Sequence, residues 1–255
     1  MIWDLQKASV LKRASAFLLD FILLSILAVG FAALVSAITQ YDTYVQTDTE
    51  ITNVYAEQYF GMKWDDFKSL NDEERKAYQD VYEEFDKALY EDEEYARNFS
   101  MIMSLTLLMI SLGLFFAILV LEFIMPLILK NGQTVGKKIF GIAVIRSSGV
   151  KASTFALFIR AMIGKYTIET MFPFMIFMMM FTVTGFGLVA LVVLIGLAVL
   201  QIAVYVVSKT NSLIHDMISD TVSVDLASQL IFADDEALAA YKAKIAAERA
   251  ERSPY

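Results

Sequence analysis

Three blocks of this chain, Ala14 to about Ile38, Phe99 to Leu129 and Tyr166 to Val207, are almost continuously apolar, and each is long enough to cross a bilayer. At 1.5 Å per residue, ~20 helical residues cover the ~30 Å hydrocarbon layer, and a helix satisfies its own backbone there. The last block has 42 residues, roughly 63 Å of helix, which is two crossings. Thr184-Gly185-Phe186-Gly187 is its natural turn, giving a third span near Ile168 to Val183 and a fourth near Leu188 to Val207. The third is short and holds Glu169 and Pro173, so a re-entrant or interfacial segment is the alternative to a full span. The expected fold class is all-α: a polytopic membrane domain of four transmembrane helices with an extracytoplasmic helical insertion. Its parts are 1–39 (N-terminal segment and first span), 40–98 (insertion), 99–129 (second span), 130–165 (basic loop), 166–208 (third and fourth spans) and 209–255 (C-terminal segment).

Lys7, Lys12 and Arg13 precede the first block, which carries Asp20 and is too long for the apolar region of a secretory signal. It reads as a retained span, although Val35-Ser36-Ala37 resembles a cleavage site. Between Gln40 and Arg97 stand 17 Asp or Glu against six basic residues, so this segment lies outside the bilayer. Asn71 with Glu74 predicts a capping-box helix start, and Tyr78, Val81, Tyr82, Phe85 and Leu89 share one face of the helix continuing from it. No Gly or Pro interrupts that helix before the second span, which predicts one long rod. Asp48 to Phe60, ended by Gly61, is its expected partner helix. From Lys130 to Lys165 the bias reverses: Lys130, Lys137, Lys138, Arg146, Lys151, Arg160 and Lys165 face no acidic residue. A short loop of this kind stays in the cytoplasm. The expectation is therefore a multi-pass protein of the cell membrane with cytoplasmic N- and C-termini. Asp234 to Arg252 reads as a soluble helix with Leu238, Tyr241 and Ile245 on one side.

With no Cys and one His, thiolate catalysis, disulfides, Cys-bound zinc and a histidine metal site are excluded, and no metal or cofactor is expected. Ionisable side chains inside spans cost about 2.5–3.5 kcal/mol each on insertion scales, so each is a functional candidate. Asp20 follows the start of the first span by six residues, and Glu122 precedes the end of the second by seven. In an antiparallel hairpin these two carboxylates lie at one depth, with Arg13 a turn or two nearer the cytoplasm and Gln201 of the fourth span at a comparable level. Such a group suits a proton or monovalent-cation site, a polar-substrate site, or helix-to-helix bonding. Gly132-Gln133-Thr134-Val135-Gly136-Lys137-Lys138 lacks Walker spacing and reads as a turn at the membrane surface. It leads to a basic amphipathic segment in which Phe155, Leu157, Phe158 and Ile159 meet the interface, and Arg160 and Lys165 meet anionic head groups. His215-Asp216 has no nucleophile motif beside it; Asp216 is expected to cap a helix or to meet Arg13 or Arg160.

Four separated motifs, Arg13 with Asp20 in RASAFLLDFILL, then GQTVGKKIFGIAVI, then Arg160, then His215-Asp216 in LIHDMISDTVSVD, resemble the RDD family of membrane proteins, named for one Arg and two Asp. The resemblance places the signature positions on Arg13, Asp20 and Asp216, and the motif positions on Gly132, Gln133, Thr134, Gly136, Lys137, Arg160 and His215. It implies a membrane domain proposed in places for transport and cation–proton exchange. The chain departs from the pattern in its long acidic insertion and in Ser219-Asp220, where small apolar and Gly residues are common. The expected function is a transporter or cation–proton exchanger using buried carboxylates, not an enzyme. The alternative is a non-transporting scaffold whose acidic domain recruits a protein partner. Membrane lipids and monovalent cations or protons are the other expected partners; the acidic net charge of -8 argues against nucleic acid.

Overall fold

The apolar blocks form helices whose side chains face outward, which in water would leave a wide hydrophobic surface and in lipid is the satisfied arrangement. This is seen in a computed structural model describing residues 5–182 and 185–252. Helix α1 spans Val10–Thr39. After it come α2 (Tyr41–Phe60), α3 (Trp64–Ser69), α4 (Asp72–Lys76) and α5 (Gln79–Glu91). Helix α6 (Glu93–Ile118) continues through a π-helical segment, Leu119–Ile124, into α7 (Met125–Leu129). Among the described residues three helices are long and apolar enough to cross a membrane, Val10–Thr39, Glu93–Leu129 and Gly187–Val207, with mean hydropathy of 2.7, 2.7 and 2.8. The all-α polytopic membrane fold stands. The stretch expected as the third span is not one of the three: it consists of the end of a second π-helical segment, Ile159–Met171, and α10 (Phe172–Thr182). Glu169 and Pro173 lower its apolarity, and Val183 and Thr184 of the expected span and turn lie outside the described residues.

The chain divides into two compact units, one holding the chain up to Ala28 and from Leu114 onward, the other Val29–Gly113. In the latter unit the expected rod is broken. Asp92 is extended (φ -70, ψ 119) between α5 and α6, and its Oδ1 accepts from the Tyr95 N–H at 2.8 Å while its Oδ2 accepts from the Tyr55 hydroxyl at 2.9 Å. Asp competes with the helical backbone for its own N–H groups, so it ends one helix and caps the next without Gly or Pro. The break folds α5 back on α2. Ala56, Phe60, Phe67, Phe85, Leu89 and Tyr95 form a buried core, with the Phe60 and Phe67 rings stacked at 4.2 Å. Gly61 (φ +70) closes α2, a left-handed position that suits glycine. The Asn71 Oδ1 accepts from the Glu73 and Glu74 N–H groups at 3.0 Å each, and the Glu74 carboxylate accepts from the Asn71 N–H at 3.0 Å, the capping box expected. Asn71→Ala is expected to cost α4 about 1 kcal/mol, read as several-fold faster hydrogen exchange at the Glu73 and Glu74 amides.

The other unit adds a feature the all-α reading omitted. After α8 (Val135–Ile139) the chain forms β1 (Ile142–Arg146), antiparallel to β2 (Thr221–Asp225), with Val144 opposite Ser223. Ala143, Ile145, Val222 and Val224 are buried together. The segment before α1 lies along β2, where the Asp225 N–H donates to the Gln6 carbonyl at 2.8 Å. Lys12 pairs with Asp225, and its ammonium holds the Asp225 carboxyl below the usual range. Helices α9 (Thr154–Phe158), α11 (Gly187–Val207), α12 (Ile214–Ile218) and α13 (Asp235–Arg252) complete the order. In α13 Leu238 is buried, and Tyr241 packs on Phe232 at 5.1 Å.

Candidate functional site

The two π-helical segments set the site. Pro126 has no N–H to give the carbonyl four residues back, and the wider turn over Leu119–Ile124 carries Glu122 into the interior at 3% exposure. In an α-helix Lys165 and Glu169 would point roughly 140° and 180° away from Arg160. At roughly 4.4 residues per turn, the winding that i→i+5 bonding gives, all three fall within about 50°. Hydroxyl bonds follow the same five-residue step: Thr167 donates to the Met162 carbonyl at 2.9 Å and Thr170 to the Lys165 carbonyl at 2.8 Å.

Around a cavity of about 300 Å³ Glu122, Arg160 and Lys165 meet residues of α1, α8 and α12. Asp20 accepts from the Thr134 hydroxyl at 2.5 Å and from the Gly136 N–H at 2.7 Å. Gly136 is required by closeness: a Cβ there would stand 2.4 Å from the Ala16 carbonyl oxygen. Lys137 Nζ lies 3.9 Å from Asp20 Oδ2 and 3.8 Å from Glu122 Oε2, one cation between two carboxylates. Glu122 also pairs with Lys165 and, at 3.5 Å, with Arg160. Its Oε2, buried, accepts no hydrogen bond among the described residues. Arg160 Nε donates to Asp216 Oδ1 at 3.0 Å, and Arg13 Nη2 stands 3.7 Å from Asp216 Oδ2. Arg13 also donates to the Asn211 carbonyl at 2.7 Å and lies over the Tyr205 ring at 5.6 Å.

His215 sits between Glu169 Oε2, 2.7 Å from Nδ1, and Arg160 Nη2, 3.0 Å from Nε2. The carboxylate can only accept and the guanidinium can only donate, so the ring is neutral with its proton on Nδ1. Burial, which pushes its pKa down, acts in the same direction. Burial alone would raise Asp216; the Arg160 guanidinium outweighs it and holds that carboxyl well below the usual range. Arg13, Lys137, Arg160 and Lys165 thus balance Asp20, Glu122, Glu169 and Asp216. Such a cluster is tolerable at low dielectric, where each unpaired ion would cost several kcal/mol.

Of the residues expected from sequence, the structure brings Arg13, Asp20, Glu122, Lys137, Arg160, His215 and Asp216 to one cavity. Gln201 does not line it; its side-chain carbonyl is buried and has no hydrogen-bond partner among the described residues. Asp20 and Glu122 are not a bare carboxylate pair, because Lys137 stands between them. Arg160 and Lys165 turn inward to Asp216 and Glu122; Phe155 and Phe158 are exposed, and Leu157 is buried. Gly132 (φ +62) and Gln133, whose amide donates to the Ile142 carbonyl at 2.8 Å, lock the loop onto β1. Sequence reasoning misses Lys165 and Glu169 as members of the site. Their signal is the five- and nine-residue spacing from Arg160, which matches no α-helical face.

A model of the RDD family matches residues 7–220, most of the chain, and the chain belongs to that family. No curated protein and no solved structure matches it.

Proposed function

We propose that this integral membrane protein of the RDD family exchanges a monovalent cation for a proton, with Lys137 as the resident cation that the transported one replaces. The observation that carries this is the single ammonium shared by Asp20 and Glu122 beside a carboxylate oxygen, Glu122 Oε2, that has ion-pair contacts but accepts no hydrogen bond among the described residues. Burial, with Lys165 and Arg160 adding to it against Glu122, pushes Lys137 down to about 8. When its proton leaves, the space between two carboxylates is one positive charge short. A sodium or potassium ion fits that deficit, with Glu122 Oε2, Asp20 and the Thr134 hydroxyl as hard oxygen ligands. Reprotonation of Lys137 makes a second cation unfavourable and expels it. One proton then moves per cation, and the charge of the site does not change.

On this reading the protein works without covalent catalysis and is no enzyme. The seven-to-none charge bias of residues 130–165 supports a cell-membrane orientation with that loop and both termini in the cytoplasm. Phe155 and Phe158 are placed to touch lipid there.

In proteoliposomes with a trapped pH dye, sodium or potassium addition is expected to drive proton movement that rises as pH passes through about 8. Lys137→Gln is expected to keep cation binding and lose its proton coupling; Glu122→Gln is expected to lose both. Absence of cation-dependent proton movement in the unaltered protein, or full coupling in Lys137→Gln, would remove the reading.

A further inference from the structure

The Val29–Gly113 unit contains a second cavity, about 340 Å³, that cation exchange does not use. Its walls combine two chemistries. Trp64, Tyr82 and Phe85 form one group of rings, with Trp64 and Phe85 stacked at 5.2 Å, and Tyr90 meets Tyr95 edge-on at 5.6 Å. Asp48, Asp65 and Asp86 line the same space. Lys68 pairs with Asp65 at 2.6 Å, and among the described residues neither Asp48 nor Asp86 forms an ion pair. Among the described residues the Asp48 Oδ1 is buried and accepts no hydrogen bond, while the Asn98 side chain bonds the same carboxylate. A buried acceptor without a donor is costly, and a ligand donor would relieve it.

A metal ion does not suit this cavity. Among the described residues no three acidic or histidine side chains gather closely enough to hold one. Rings attract ammonium groups over their faces and cover methylene chains along their length. A volume of this size is at the small end of ligand cavities.

We infer that this cavity binds an aliphatic diamine, one ammonium at Asp48, the other at Asp86, and the methylene chain against Trp64 and Tyr90. Monoamines satisfy one carboxylate and leave the other bare. The chain has two tryptophans, so Trp3→Phe makes Trp64 the sole reporter in the full-length protein in detergent.

Titration with 1,4-diaminobutane at constant ionic strength is expected to change Trp64 emission saturably, with 1-aminobutane at least tenfold weaker. Asp48→Asn and Asp86→Asn are each expected to weaken the diamine at least tenfold with helical content unchanged. Because no hydrogen bond among the described residues rests on the Asp86 side chain, its variant tests the site even if Asp48→Asn misfolds. No saturable response, equal binding of the monoamine, or an Asp86→Asn variant that binds normally overturns the inference. So does calcium giving the same response, or a trilysine peptide binding tenfold tighter than the diamine, which would make this face a docking site for a basic protein.

Discussion

Arg160→Leu is expected to destabilise the membrane unit by about 3–5 kcal/mol, the range for removing one partner from a buried ion pair. Arg160 is 2% exposed, and its guanidinium serves Asp216, His215 and Glu122 at once. Without it Asp216 retains only Arg13 at 3.7 Å as a counter-cation, and the His215 Nε2 loses its donor. Thermal denaturation in detergent should show the loss as a lower Tm. Two companion variants separate charge from shape. Arg160→Lys restores a point charge but not the planar fork, so it should recover part of the loss. Arg160→Leu combined with Glu122→Gln should also recover part, because the second change removes an anion that the first left short of a partner. If Arg160→Leu denatures within about 0.5 kcal/mol of the unaltered protein, a shift no larger than an ordinary surface substitution gives, the network does not hold the unit together, and its charges serve transport alone.

The parts of this fold that are legible in the sequence are those set by local chemistry. Long apolar runs mark the spans, Gly61 marks the end of α2, and Asn71 with Glu74 marks the start of α4. Counting residues from the ends of two spans places Asp20 and Glu122 at one depth, and one lysine reaches both. Interruptions that depend on a single side chain are hidden. Asp92 breaks a helix because a hydroxyl and an N–H from Tyr55 and Tyr95 converge on it, and only the folded unit brings those donors together. The strands Ile142–Arg146 and Thr221–Asp225 are five-residue segments that pair across more than seventy positions. In a chain already rich in Val and Ile, neither stands out by periodicity. The π winding is invisible for a related reason: a face read at 3.6 residues per turn separates Arg160 from Glu169, so three members of one network look unrelated. Assigning Arg160 and Lys165 to lipid head groups rests on the same α-helical assumption.

Gly136→Ala is expected to have the second-largest effect, and it tests what the glycine-rich loop is for. The added Cβ would stand 2.4 Å from the Ala16 carbonyl oxygen and 2.9 Å from the Asp20 carboxyl carbon. The first obstacle is backbone within α1, held by the helix's own hydrogen bonds, so the loop must move and the helix will not. A displacement of that size takes the Gly136 N–H away from Asp20 and the Thr134 hydroxyl with it. Overpacking at a rigid contact costs about 1–3 kcal/mol, and a buried carboxylate deprived of donors adds about 1–3 kcal/mol more. A Tm in detergent should fall accordingly. Asp20→Ala in the same background should cost little more, since the interaction it removes is already broken, whereas alone it should cost nearly as much as Gly136→Ala. Additive losses would mean that Gly136 and Asp20 act separately. Non-additive losses would identify the loop as a latch that docks on the first helix and holds Lys137 beside its two carboxylates; the glycine pattern would then serve placement of a cation, without any bound phosphate.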